Sequence, residues 1–301
     1  MTPSGAPGPG AQMRALVRTM RPKQWTKNLF VLSPLLFSQH LFEPSIMAAA
    51  VEGFLLFSLI ASCVYILNDI IDRKKDREHP VKMSRPIASG ALSVGVAVGA
   101  LTVLLVVTIA SSFAVGTLFA WAIVTYFVWN IIYSLFLKEA VIIDVMSIAM
   151  SFILRIVAGA FAINVPLSEW LLICTSLLAL FLGFSKRRHE LTLLEDNAKS
   201  HRRVLLEYSP YFLDQMISLV TASTLICYIL YTLDAETIRK FGSKNLLFTV
   251  PFVLYGLFRY LYLVHQRKTG GDPTAELLTD KPLLLNVFLW GLTVTLVIYF
   301  R

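Results

Sequence analysis

Acidic residues are scarce in this chain: 19 Asp and Glu stand against 27 Lys and Arg in 301 residues, and charged residues of both signs reach only 15%. Soluble domains carry about a quarter of their residues charged, so a water-facing surface around a single core is excluded. The 56% hydrophobic content and mean hydropathy of +0.67 point instead to a polytopic membrane protein. Cysteine is also rare. Cys63, Cys174 and Cys227 all fall within apolar runs, which excludes a disulfide framework. The chain has no Gly-rich phosphate loop, nucleophile elbow or His-rich zinc pattern. His79 and His189 have no His or Cys at ligand spacing, so hydrogen-bonding roles are expected of them.

Apolar sequence is abundant. Nine runs, about 28–42, 46–67, 91–112, 114–137, 141–163, 168–185, 212–233, 246–265 and 282–300, are long enough or nearly so to cross ~30 Å of hydrocarbon. The expectation is an all-α, polytopic membrane helical bundle with nine transmembrane helices, the first short and interrupted. Residues 1–20 read as a disordered or basic cytoplasmic arm, and 21–301 as one integral membrane catalytic domain. The basic arm followed by Leu29–Phe37 has the order of a signal peptide. Pro34, Gln39 and His40 interrupt that run, and an odd span count needs it.

Lys and Arg gather in the N-terminal arm (Arg14, Arg18, Arg21, Lys23, Lys27) and in the loops after the second, fourth, sixth and eighth runs. The positive-inside rule then puts the N-terminus on the cytoplasmic side of the cell (plasma) membrane and the C-terminus outside. Topology and anionic lipid head groups account for the net charge of +8 without nucleic acid. Nothing in the sequence opposes a homo-oligomer.

Against this background one stretch stands out: Asn68-Asp69-Ile70-Ile71-Asp72-Arg73-Lys74-Lys75-Asp76, at the end of a long apolar run. In a helix Asp69, Asp72 and Asp76 share a face. Carboxylates so placed repel one another unless a cation neutralises them, and such oxygen ligands suit Mg²⁺ bridging to a substrate diphosphate. Asn68, Asp69, Asp72 and Asp76 are therefore the candidate metal ligands. Arg77, Lys82 and Arg85 downstream would meet phosphate oxygens. The plain alternative is a solvated charged loop.

The expected topology brings further groups to the same face: Tyr133 and Lys138 after the fourth run, Asp144 early in the fifth, and Lys186-Arg187-Arg188-His189-Glu190 at the end of the sixth. Asp144 and Arg155, eleven residues apart, fall at nearly the same azimuth about 16 Å apart along a helix, and are expected to line one polar cavity or to bridge neighbouring helices. Arg259 is expected to snorkel toward an interface.

Asn68-Asp69-x-x-Asp72-x-x-x-Asp76, His79-Pro80 and Arg85-Pro86-Ile87-Ala88-Ser89-Gly90 together resemble the first aspartate-rich motif of the UbiA superfamily of intramembrane prenyltransferases. Tyr133-Ser134-x-x-Leu137-Lys138 is similar to that superfamily's second recurring element. Members that prenylate aromatic acceptors carry a second Asp-rich motif after the sixth span; here that place reads Ser185-Lys186-Arg187-Arg188-His189-Glu190-Leu191. This departure, with Arg21-Pro22-Lys23-Gln24-Trp25-x-Lys27-Asn28, Ile143-Asp144-Val145, Leu154-Arg155-x-x-Ala158-Gly159 and Pro166-Leu167-Ser168-x-Trp170, resembles the branch containing decaprenyl-phosphate phosphoribosyltransferase. The resemblance implies Mg²⁺-dependent transfer of 5-phosphoribose from phosphoribosyl pyrophosphate to a polyprenyl phosphate, for lipid-linked pentose in arabinan synthesis. Lys186, Arg187 and Glu190 would serve the 5-phosphate, and Lys23, Lys27 and Asn28 the lipid head. Two other readings are prenyl transfer to a small aromatic or other acceptor, and a transporter or lipid-binding scaffold.

Overall fold

In lipid an apolar run can satisfy its backbone only as a helix or a closed barrel, and every regular element among the described residues is helical. The computed structural model describes residues 8–79, 82–196, 205, 207–267 and 273–300; residues 1–7 and Pro80 of the acidic motif lie outside them. The α-helices in chain order are α1 (Pro9–Met20), α2 (Ser33–Phe37), α3 (Pro44–Ile71), α4 (Arg73–Glu78), α5 (Pro86–Ser89), α6 (Val94–Val115), α7 (Thr117–Leu135) and α8 (Ile143–Ala162). They continue with α9 (Glu169–Asp196), α10 (Pro210–Leu233), α11 (Ala235–Phe241), α12 (Val250–Gln266), α13 (Pro273–Thr279) and α14 (Lys281–Tyr299). Proline in the first turn starts α1, α3, α10 and α14, where a missing N–H costs nothing.

Eight of the described helices, α3, α6 to α10, α12 and α14, are long and apolar enough to cross a membrane. The first apolar run, expected as a crossing, has a different construction. Pro22–Leu32 is a 3₁₀ helix that continues directly into α2. At about 2.0 Å rise per 3₁₀ residue and 1.5 Å per α residue, the pair extends roughly 30 Å. Contacts fix its two ends. Arg21 Nη2 lies 2.5 Å from Asp69 Oδ1, at the last turns of α3. Leu41 N–H donates to Tyr299 Oη, and the Phe42 ring packs edge-on against Tyr299 and Phe300 at the end of α14. The crossing lies with its backbone against α8, where a Cβ on Gly159 would come 2.0 Å from the Val31 carbonyl oxygen.

The arm expected to be disordered is helical in its second half. Pro9 begins α1, and Ala15, Leu16 and Met20 pack on Ile66, Ile87 and Leu92, so burial against α3 and α5 orders the segment. Its other face carries Arg14 and Arg18 beside exposed Met13 and Val17. One core joins α3, α7 and α8 through Phe57, Ile60, Phe119, Ile123, Ala158 and Ala162. A second joins α9, α10 and α12 through Phe181, Leu213, Ile217, Leu257 and Tyr260. Between the 3₁₀ crossing, α9, α10, α12 and α14 lies an apolar cavity of about 470 Å³.

Candidate active site

The acidic motif is not one continuous helical face. The chain turns out of the helix at Asp72 (φ −83°, ψ 4°), closing α3 with its N–H on the Asn68 carbonyl, and α4 starts one residue later. The turn separates the three acids. Asp69 and Asp76, 2% and 3% exposed, converge on one guanidinium: Arg85 Nη1 lies 3.1 Å from Asp69 Oδ1 and 2.7 Å from Asp76 Oδ2. Asp72 remains partly exposed and holds Lys138 Nζ at 3.3 Å. Asn68 Oδ1 accepts from Ser134 Oγ at 2.7 Å, so α7 orients the amide. Arg77 Nε donates to the Ala88 carbonyl, tying α4 to α5. Lys82 sits half-buried in a short 3₁₀ turn.

Arg85, expected to meet a substrate phosphate, therefore lies between two carboxylates. Its nitrogen marks a position where two hard oxygens meet one cation, the donor chemistry Mg²⁺ takes. Among the described residues no group of three acidic, His or Cys side chains is close enough to hold an ion alone. The set fits a divalent cation that displaces Arg85 and completes its shell with ligand oxygens and water. Asn68 would join through its remaining lone pair.

Two strained residues support the site. Arg21 (φ 54°) and Ile142 (φ 68°) occupy the left-handed region that costs non-glycine residues about 1–3 kcal/mol. Arg21 ends α1 and reaches Asp69. Ile142 precedes α8 and gives its N–H to Tyr208 Oη at 2.6 Å, and that hydroxyl donates to Asp144 Oδ1 at 2.8 Å. Burial pushes the Tyr208 phenol above its ordinary pKa, which keeps it a proton donor to the carboxylate.

The basic motif on α9 is divided in a similar way. Arg187 is 1% exposed, its Nε 2.6 Å from Asp144 Oδ2, while its Nη1 pairs with Glu190. Both carboxylates already engage a guanidinium that was expected to hold phosphate. Lys186 keeps a third of its side chain exposed, with Nζ 3.9 Å from Glu190. Arg188 turns to Asp214 on α10. Tyr133 is half-buried within the electrostatic reach of Arg187, while its neighbour Ser134 touches Asn68. The end of α7 thus sets the acidic and basic motifs at one level.

Asp144 and Arg155 are both buried, and each bridges a different pair of elements. Arg155 Nε donates to Asn28 Oδ1 at 2.9 Å, Nη1 to the Ser151 carbonyl and Nη2 to Tyr126 Oη, with Phe57, Tyr126 and Phe152 rings 5.1–5.4 Å away. Asn28, 1% exposed, also donates to Ser58 Oγ, so it locks the 3₁₀ crossing into the core with its amide already engaged. Of the N-terminal candidates Lys23 is exposed and Lys27 half-buried. Arg259 makes a two-pronged pair with Asp280 at 3.1 and 2.7 Å, a specific partner where snorkelling was expected.

The UbiA prenyltransferase family model matches residues 29–297, nearly the whole of this bundle. The chain belongs to the UbiA family. It is 30% identical over 289 residues to decaprenyl-phosphate phosphoribosyltransferase of Corynebacterium glutamicum, covering 94% of this chain and 86% of that protein. The Mycobacterium tuberculosis protein of the same name is 29% identical over 290 residues, 95% of each chain. In structure it is similar to a UbiA homolog from Archaeoglobus fulgidus bound to GPP and Mg²⁺: TM-score 0.69, 20% identity, 94% of this chain and 99% of that one. That likeness shows the UbiA fold.

Membership makes the chain an integral membrane transferase of the UbiA type. Three contributors to the site went unassigned in the sequence. Arg21 stands in a quoted motif, but its contact with Asp69 depends on a left-handed turn with no sequence signal. Ser134 sits inside the Tyr133–Lys138 element. Tyr208 lies in the connection before α10, where no periodicity marks it.

Proposed function

We propose that the chain transfers 5-phosphoribose from phosphoribosyl pyrophosphate to a polyprenyl phosphate and releases diphosphate. The observation that carries this reading is the asymmetry of the two motifs. One offers two buried, converging carboxylates, and the other offers exposed Lys186 with the single acid Glu190. A donor with a diphosphate at one end and a phosphate at the other matches one acidic and one cationic station at the same level. A prenyl diphosphate held by two acidic motifs does not.

Mg²⁺ held by Asp69, Asp76 and Asn68 would supply positive charge to the leaving diphosphate. The chain's own residues do the rest. Arg85, displaced from its carboxylates, and Lys82 face the diphosphate oxygens, while Lys138 neutralises Asp72. Lys186 takes the 5-phosphate, with its ammonium aligned by Glu190. Arg187, Asp144 and Tyr208 keep this turn of α9 fixed against α8. Lys23 and Lys27, beside the acidic site at the start of the 3₁₀ crossing, hold the lipid phosphate, and the apolar cavity takes the first part of its tail. An oxygen of the lipid phosphate forms a bond to C1 of ribose as the bond from C1 to the diphosphate breaks, with inversion. A phosphate monoester is already mostly ionised at pH 7, so no strong general base is required. On the positive-inside rule the site faces the cytoplasm and the C-terminus the opposite side of the plasma membrane.

A radiolabelled donor and a polyprenyl phosphate, incubated with purified protein in detergent, test the reading. Label should move to the organic phase and stop with EDTA. The largely apolar cavity favours one second reading, prenyl transfer from a prenyl diphosphate to a small acceptor. Turnover of that pair with no ribose transfer would replace the first reading.

A further inference from the structure

The face of α9 that lines the cavity carries Leu171, Cys174, Thr175, Leu178, Phe181 and Leu182. The same three-and-four spacing continues to Ser185 and then His189, flanking the turn of Lys186 and Arg187. Both carry buried polar atoms with no hydrogen-bond partner among the described residues: Ser185 Oγ, on a residue at 0% exposure, and His189 Nδ1.

Serine inside a helix normally gives its hydroxyl to the carbonyl four residues back, and Ser62, Ser112, Ser151, Ser176 and Ser218 all do so here. Ser185 does not. A buried polar group left unpaired costs about 1–3 kcal/mol, and such groups call for a reason. The two other orphaned atoms, Thr108 Oγ1 and Arg73 Nε, stand singly on α6 and α4. Only on α9 do two share a face, and that face leads from the cavity to the level of the acidic motif.

We propose that Ser185 and His189 form a hydroxyl-recognition subsite for the sugar of the donor. The proposal rests on the phosphoribosyl reading above. A ribose hydroxyl is both donor and acceptor, and so are a serine hydroxyl and, through its choice of tautomer, a neutral imidazole. The carboxylates around Arg85 serve the diphosphate end and Lys186 the 5-phosphate end; the vicinal hydroxyls between them can pair with neutral groups that both donate and accept. A prenyl chain would leave both protein atoms unpaired, so the pair also selects a sugar over a hydrocarbon.

The test is competition by ribose 5-phosphate and its 2-deoxy and 3-deoxy forms against labelled phosphoribosyl pyrophosphate on the purified full chain. The unmodified protein should bind ribose 5-phosphate about tenfold more tightly than the deoxy forms. Ser185→Ala and His189→Phe should each erase the discrimination against one deoxy form, with the KM for polyprenyl phosphate unchanged. Ser185→Thr, which keeps the hydroxyl, should retain the preference. If Ser185→Ala folds poorly, His189→Phe carries the test alone. Equal weakening of all three sugar phosphates, or an unmodified protein blind to the hydroxyls, overturns the subsite while phosphoribosyl transfer stands. Prenyl transfer with no phosphoribosyl transfer is the separate result that removes the underlying reading.

Discussion

Arg187 Nε lies 2.6 Å from Asp144 Oδ2 with both side chains within 1% of full burial, so the two residues close an ion pair between α9 and α8. Removing one partner of such a pair leaves an uncompensated charge and costs about 3–5 kcal/mol. Arg187→Ala and Asp144→Ala should therefore lower the thermal midpoint and the folded yield in detergent, well before any change in substrate KM can be read. A well-folded Arg187→Ala protein with a raised donor KM would return Arg187 to the phosphate site.

Lys186 gives the opposite expectation. Its ammonium is partly exposed and pairs loosely with Glu190, 3.9 Å away. Lys186→Ala should fold normally and raise the KM for phosphoribosyl pyrophosphate about tenfold, in line with the loss of one charge-assisted contact. If the KM for polyprenyl phosphate rises instead, the two substrates lie in the reverse order.

Arg85 holds the carboxylates that a metal would take. Mg²⁺ with diphosphate should raise the thermal midpoint of the unmodified protein and leave that of Asp76→Ala unmoved. Both Asp69→Ala and Asp76→Ala should abolish turnover, and EDTA should do the same to the unmodified protein. Turnover surviving in either variant, or a Mg²⁺ response in Asp76→Ala, would remove the metal from these residues.

Gly159 allows the 3₁₀ crossing to touch α8, since its Cβ would sit 2.0 Å from the Val31 carbonyl oxygen. The obstacle is backbone, so it cannot turn aside. Gly159→Ala should destabilise by about 1–3 kcal/mol or more, as overpacking does, and should cost activity by shifting Arg21. A midpoint unchanged within a degree would mean that the crossing and α8 stand further apart.

Asp280 caps α14 and takes both prongs of Arg259, and that hydrogen bonding holds its pKa below the ordinary carboxylate value. With the folded value below the unfolded one of about 3.9, the pair stabilises the fold fully above that pH, and its contribution fades as pH falls through the folded value. Asp280→Asn keeps a good cap and loses the charge. The stability gap between the two proteins should be constant from pH 7 to about 5 and close below about pH 4. A gap that widens on acidification would reverse the assignment.

The helices were legible because hydropathy has a length that the bilayer sets. The acidic motif was legible because acids are so rare elsewhere. Pairing was not. Whether Arg187 meets a ligand or Asp144 depends on how α8 and α9 are rotated, and that is decided by packing of Val145 against Gly183 rather than by the charges themselves. The break at Asp72 was likewise invisible, since Asp-Arg-Lys-Lys-Asp reads well as a helix. Asn28 and Arg155 looked like ligand groups from their chemistry, yet they satisfy each other.

The 3₁₀ crossing works as a strut of fixed pitch. Its eleven residues reach as far as about fifteen would in an α-helix, and rewinding them to α would draw the strut in by roughly 5 Å. One end is pinned by Arg21 on Asp69 and the other by Leu41 and Phe42 on α14, while Thr26, Leu29 and Phe30 form the cavity wall between. A single residue gained or lost here would slide the wall past the cavity or pull the arginine off its aspartate, so the segment tolerates substitution far better than any change of length.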